Sequence, residues 1–199
     1  MITYFKGSSV PMTSTNHILV NALTVFTDNF IEKHQIAHKH LPLVTNDDLG
    51  PSVCIKEIFD ERQSCWKPSK VETKLSFENI EQALEIEIHP DINTYFTTFY
   101  SESIDAECIE GKLSLLFAWN EEDFHRLQEN LIGHIMMKQK LKQEITLFFA
   151  VTDEDDMIIS LMNNTGEVWV EQVGCKPHKK LANSLSDFIQ QITPNIHGN

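Results

Sequence analysis

Residues 145–173 read ITLFFAVTDEDDMIISLMNNTGEVWVEQV. Three runs rich in β-branched, aromatic and other apolar residues, Ile145–Val151, Met157–Met162 and Glu167–Val173, have the length and composition of strands. Between them lie Asp153–Asp156 and Asn163-Asn164-Thr165-Gly166, whose residue types favour tight turns. Neither connection is long enough to hold a crossover helix, so neighbouring strands must run antiparallel. That excludes a doubly wound parallel sheet and makes the chain α+β.

Upstream, Ala106–Ile109 and Lys112–Trp119 flank Glu110-Gly111, a hairpin signal. Tyr95–Tyr100, with Phe96, Thr97, Thr98 and Phe99, reads as another strand behind the break expected at Pro90. Asn120 opens a helix with Glu121, Glu122 and Asp123 in its first turn, where carboxylates suit the positive end of the dipole. Asp123 stands three residues after Asn120, an approximation to a capping box. Phe124, Leu127, Leu131 and Ile135 are its core stripe.

The spacing also predicts a helix over Thr15–His38, capped by Thr15 or Asn16. Ile18, Ala22, Phe26 and Phe30 face inward, with Leu19, Leu23 and Ile31 beside them. Pro42 and the Asn46-Asp47-Asp48 cluster end it. Residues 41–74 read as loop-rich, with one short strand at Val53–Ile58. Ser76 starts a further helix carrying Ile80, Ala83 and Leu84, and Pro177–Ile192 reads as a closing helix with the stripe Leu181, Leu185, Phe188 and Ile192. No repeat or Pro/Gly/Ser linker divides the chain. One α+β domain follows, a mostly antiparallel β-sheet packed by helices.

The 199 residues include 29 acidic and 16 basic side chains, a formal net charge of −13. Residues 78–129 hold 13 acids and only Lys112 and Arg126 as bases, a net of −11, while the flanking stretches are close to neutral. Such a balance argues against nucleic acid, whose phosphates need a basic face. It suits a basic partner, drawn in by the long-range field. No run approaches the ~18 apolar residues of a spanning helix, and the start, Met1–Met12, lacks the apolar core of a signal peptide, so the expected compartment is the cytoplasm. Cys54, Cys65, Cys108 and Cys175 form no CxxC pair and read as reduced thiols.

Catalytic signatures are absent: the chain has no GxGxxG, GxxxxGK[ST], GxSxG or HExxH. The Asp153–Asp156 run lacks the glycine and terminal Glu of a calcium loop. His34, His38 and His40 are the one conceivable metal cluster, and no nearby Cys or carboxylate completes it. No enzyme, cofactor or metal is expected.

Several long segments carry a family resemblance: GPSVC at 50–54, EIEIHPDINTYFTTFYS at 85–101, LSLLFAWNEEDF at 113–124, NEEDFHRLQENLIGHIMMKQKLKQEITLFFA at 120–150 and ISLMNNTGEV at 159–168. Together they resemble the bacterial Syd family of SecY-interacting proteins, within the wider SUKH group, over roughly residues 14–194. The resemblance implies an α+β fold and a non-enzymatic regulatory partner of the SecY translocation channel. Such a protein is peripheral on the cytoplasmic side of the inner membrane and restrains or monitors SecY outside its proper complex. Residues 1–13 become a flexible N-terminal extension, with Met12 an alternative start, 14–194 the domain and 195–199 a tail. The SUKH group also includes immunity proteins, so neutralisation of a basic toxin is the alternative.

The charge pattern agrees with the first reading, because cytosolic loops of membrane proteins are rich in Lys and Arg. The expected partner-binding acids are Asp91, Glu102, Glu121, Glu122, Asp123 and Glu129. Glu129 follows Glu122 by seven residues and so stays on the same helix face; Asp91 and Glu102 are placed by their position beside the sheet.

Overall fold

A computed structural model describes residues 14–46 and 50–196. The expected N-terminal extension therefore lies outside the described residues, as do Asp47 and Asp48 and the side chains of the expected caps Thr15 and Asn16. Of the expected tail, Asn195 donates its N–H to the Asp105 carbonyl and Ile196 packs half-buried against the core; 197–199 lie outside the description.

The elements run, in order, α1 (Ser14–His38), β1 (Leu43–Thr45), β2 (Ile55–Ile58), β3 (Gln63–Trp66), β4 (Ser69–Lys70), α2 (Glu78–Leu84), α3 (Pro90–Thr98), β5 (Phe99–Tyr100) and β6 (Ile104–Cys108). After them come β7 (Gly111–Leu115), α4 (Glu121–Lys140), β8 (Thr146–Thr152), β9 (Met157–Met162), β10 (Val168–Gln172), β11 (Lys179–Ala182), α5 (Leu185–Gln191) and β12 (Thr193–Pro194).

The main sheet has seven strands in the order β11-β10-β9-β8-β7-β6-β12, and every ladder in it is antiparallel. The run that decides the fold class forms β8, β9 and β10 as expected, in register Phe148↔Ser160 and Val170↔Ile159. Alternation along these strands sends Leu147, Phe149, Ile159 and Leu161 into the main core, where Phe149 meets Tyr95 of α3 and Phe188 of α5. The opposite face carries Thr146, Ser160 and Glu171, and α4 covers them. The result is a single α+β domain with helices on both faces of an antiparallel sheet.

Five sequence expectations need correction. Tyr95–Tyr100 is not a strand: α3 occupies Pro90–Thr98, and only Phe99 and Tyr100 are extended. Pro90 starts this helix rather than breaking it, because its missing N–H is harmless in the first turn and His89 caps the next position. The aromatic residues that suggested a strand serve the core instead. Tyr95 stacks on Phe117 at 5.2 Å, and the Thr97 and Thr98 hydroxyls turn back to the carbonyls four residues earlier.

The closing helix is shorter than expected. Lys179–Ala182 is the edge strand β11, and α5 begins only at Leu185, capped by Ser184, whose hydroxyl accepts from the Asp187 N–H. The loop-rich section folds into a three-stranded sheet, β1-β3-β2, in which the expected strand is one of the two edges. Ile18 points outward at 52% exposure, so the inward stripe of α1 runs through Leu19, Ala22, Leu23, Phe26 and Phe30.

Candidate partner-binding surface

The surface is built where two distant segments meet. Trp119, just before α4, buries its indole and donates Nε1–H to the Gly50 carbonyl at 2.9 Å. Ser52 Oγ donates to the Trp119 carbonyl at 2.5 Å, and Asn120 Nδ2 donates to the Pro51 carbonyl at 2.9 Å. Gly50 adopts a φ of +68°, a left-handed conformation that glycine accepts without cost. GPSVC thus clasps the WN dipeptide that begins the helix.

Asn120 is the N-cap: its Oδ1 accepts from the Asp123 N–H at 2.9 Å. Asp123 answers through Oδ2, which accepts from the Trp119 N–H at 2.9 Å. This is the reciprocal logic of a capping box, displaced by one residue. The remaining Asp123 oxygen accepts from Arg126 Nη2 at 3.1 Å, and Arg126 also faces Glu122 at 3.5 Å. Asp123 is therefore half-buried and engaged three ways, whereas Glu121 and Glu122 are exposed, Glu122 beside Arg126. Glu129 is exposed two turns along the same helix.

Glu102 joins this group. It precedes β6, accepts from the Ser103 N–H at 3.0 Å and lines a concavity with Asp123, Arg126, Leu127, Asn130 and Phe148. Burial pushes its carboxyl up; the Ser103 N–H opposes that and the neighbouring Asp123 charge adds to it. Asp91 does not join. It lies in the first turn of α3, only 4% exposed, and burial raises its carboxyl despite nearby His89. The structure brings Glu102, Glu121, Glu122 and Asp123 around one helix start, extends that face to Glu129, and leaves Asp91 inside.

The histidines behave as a packed group. The rings of His34 and His38 are 4.4 Å apart and His40 lies within 5.9 Å of both, while His34 Nδ1 is 3.1 Å from the His40 carbonyl. Burial lowers His34, the His40 carbonyl opposes this, and the charges of His38 and His40 lower it further. Among the described residues no group of three or more His, Cys, Asp or Glu side chains is placed to hold a metal ion. Among them, too, no helix is long and apolar enough to cross a membrane.

Sequence reasoning missed the polar network under α4. Lys138 is fully buried and donates to Glu171 Oε2, to the Cys175 carbonyl at 2.8 Å and to Gln143 Oε1 at 3.2 Å. Thr146 and Ser160 donate to the other Glu171 oxygen at 2.6 and 3.0 Å. Because the Thr146 proton is committed to Glu171, the contact of His134 Nε2 with Thr146 Oγ1 at 2.9 Å requires Nε2 to carry the hydrogen. In sequence Lys138 looks like one of several lysines at a helix end, so no signal marked it as buried.

A second clasp joins two other segments quoted above. Asn163 accepts from the His89 N–H at 2.8 Å and donates to the Glu87 carbonyl at 2.8 Å. Gly166, at φ +77°, leaves room for the His89 ring; a Cβ there would fall 2.7 Å from Nε2.

The profile of the family described as Syd protein (SUKH-2) matches residues 20–194. A protein named Protein Syd from Colwellia psychrerythraea is 54% identical over 191 residues, covering 92% of this chain and 96% of its own length. One of the same name from Alteromonas mediterranea is 48% identical over 149 residues, covering 74% of this chain and 82% of its own. A third, from Pseudoalteromonas atlantica, is 45% identical over 160 residues, covering 79% and 86%. A match over nearly the whole described fold, with strong identity to full-length relatives, means that the chain belongs to the Syd (SUKH-2) family.

Proposed function

We propose that this protein binds the SecY protein-translocation channel at the cytoplasmic face of the inner membrane and works as a regulatory partner without catalysis. It restrains or monitors SecY that is outside its proper complex, and its membrane association is peripheral, through SecY. Family membership and the printed name of its relatives support the reading. The observation that carries it is the outward face of α4, where Glu121, Glu122 and Glu129 are exposed beside the concavity holding Glu102 and Asp123. Cytoplasmic loops of membrane proteins carry excess Lys and Arg, the complement of such a face. An acidic protein is repelled by an anionic leaflet, so attachment comes from protein contacts.

The test is binding of the purified protein to SecY-containing and SecY-depleted membranes across a salt series. SecY-dependent binding that weakens as salt screens beyond ~8 Å supports both partner and mechanism. Equal binding to both membranes, or none, removes the SecY reading.

The SUKH-2 part of the family description favours one other reading, an immunity protein that blocks a basic toxin. It requires a toxin encoded next door and protection of cells from it.

A further inference from the structure

The chain turns back on itself at the end of α1. Lys39, the residue after the helix, takes a φ of +67°, a left-handed conformation that a residue with a side chain adopts only at a cost. Its N–H closes on the Gln35 carbonyl at 3.0 Å, and the reversal lays His40 over the last turns of the helix. The imidazoles of His34, His38 and His40 stand there within 5.9 Å of one another, all half-buried. His34 Nδ1 lies 3.1 Å from the His40 carbonyl, and His40 Nδ1 lies 2.6 Å from the Leu41 carbonyl. A carbonyl only accepts, so both Nδ1 atoms carry hydrogen and any further proton must go to Nε2.

One proton suits this place, because the C-terminal end of a helix favours a cation. A second meets the first across 4.4–5.9 Å in a half-buried setting. Nothing nearby answers it. On α1, Lys33 reaches the Pro194 carbonyl, Lys39 turns to the Ile36 carbonyl and Glu32 is exposed. From the β2–β3 hairpin Phe59 meets the His40 ring at 5.1 Å. The charged groups of that hairpin are Glu57, Glu61 and Arg62, all exposed, and Asp60, whose Oδ1 accepts from the Arg62 and Gln63 N–H groups. The charges that act on His34 are those of His38 and His40, and with burial they lower it.

The same junction leads to the start of α4. Pro42, two residues past His40, accepts from the Trp66 N–H at 2.9 Å. His34 meets Phe30 at 6.1 Å, Phe30 meets Trp66 at 5.8 Å, and Trp66 stands edge-on to Trp119 at 6.0 Å. We infer that His34, His38 and His40 form a proton-operated latch. With neutral rings it holds the end of α1 against the β1-β3-β2 sheet; once a second ring is charged it releases that junction and, through Trp66, loosens the seat of Trp119 ahead of α4. The strained reversal at Lys39 is the hinge that relaxes when the rings part. The sign follows from His34: a folded value below the ordinary 6.5 means that the closed junction weakens as pH falls under 6.5.

The experiment follows the imidazole and indole signals of the isotope-labelled full chain by nuclear magnetic resonance between about pH 8 and pH 5. The three imidazoles should titrate as a coupled set over a broad range. The Trp119 indole N–H signal, held at neutral pH by the Gly50 carbonyl, should move reversibly with the second protonation. His38→Gln, at a position whose ring makes no hydrogen bond among the described residues, should return His34 towards 6.5. His38→Gln combined with His40→Gln should abolish the acid displacement of Trp119 while the melting temperature at neutral pH stays close to the wild type. Three independent titrations with His34 indifferent to His38→Gln would overturn the inference. So would a Trp119 signal that stays still while the histidines charge, or one that moves equally in the double variant. Simultaneous loss of every native signal would also overturn it, by giving the transition to global unfolding. No partner enters these readouts, so failure of SecY binding leaves the latch standing and failure of the latch leaves the proposed partner standing.

Discussion

Lys138 and Glu171 form an ion pair with no solvent exposure on either side chain, Nζ lying 2.5 Å from Oε2. One residue comes from the last turns of the helix that carries the candidate surface, the other from the fourth residue of β10. The pair, with Thr146, Ser160 and His134 around it, joins α4 to three strands at once. Burying two charges is expensive, and only the near-complete set of hydrogen bonds offsets that cost. What the network supplies is position: it holds the helix whose outer face the proposed function uses.

Lys138→Met should therefore lower stability by about 3–5 kcal/mol, since it leaves the Glu171 carboxylate buried beside two hydroxyls and an imidazole with no cation. Chemical denaturation measures this. A loss below about 1 kcal/mol would mean that Glu171 takes up a proton, or admits water, at little cost.

The pH dependence follows from Glu171. Burial alone would raise its carboxyl, but hydrogen bonds from His134, Lys138 and Thr146, with the Lys138 charge, hold it below its ordinary 4.5. A depressed folded value means that the stabilisation is complete above 4.5 and disappears as pH falls through the lowered value. Asp91 and Glu102 act oppositely: their raised carboxyls make the fold less stable as pH climbs past their ordinary range. Melting temperature against pH should fall on the acid side for the wild type. Glu171→Gln should flatten that acid limb while lowering the plateau.

Gly166→Ala should destabilise the fold by about 1–3 kcal/mol, because the new methyl group meets His89 and the backbone is left-handed. Gly133→Ala should do the reverse, raising stability by about 0.5–1 kcal/mol, since it replaces glycine inside a helix with nothing in the way. Thermal melts of the two variants side by side check both signs.

Reversal of Glu121, Glu122 and Glu129 to Lys should cut SecY-dependent membrane binding by at least about tenfold, while the circular dichroism spectrum stays unchanged. Asp123 is left out of that set, because it caps α4 and its loss would confound folding with binding. Asn120→Ala should cost about 1 kcal/mol of stability through the same cap. Asp91→Asn should leave binding as it is, since Asp91 is buried; a loss of affinity there would put the contact face elsewhere.

Much of this protein was readable from local pattern. The turns at Asp153–Asp156 and Asn163–Gly166 determined an antiparallel sheet, because chains that short between strands can only reverse. Asn120 and Asp123 announced the start of α4, since a cap needs only neighbours in sequence. The density of acids in 78–129 pointed to a charged face, and long quoted segments pointed to the family. Local pattern misled where residue type and environment diverge: Tyr95 and Phe96 look like strand residues, yet they sit in a helix because their rings are needed by the core. Which acids stand on the surface depended on contacts between distant segments. Asp91 is enclosed, Asp123 is spent on the cap, and Glu102 joins α4 from the chain ahead of β6. Lys138 shows the limit most clearly, since its burial depends on Glu171, 33 residues away. Periodicity and capping are properties of neighbouring residues and so belong to the sequence; burial, pairing and the shape of the concavity are sums over contacts that exist only once the chain has folded.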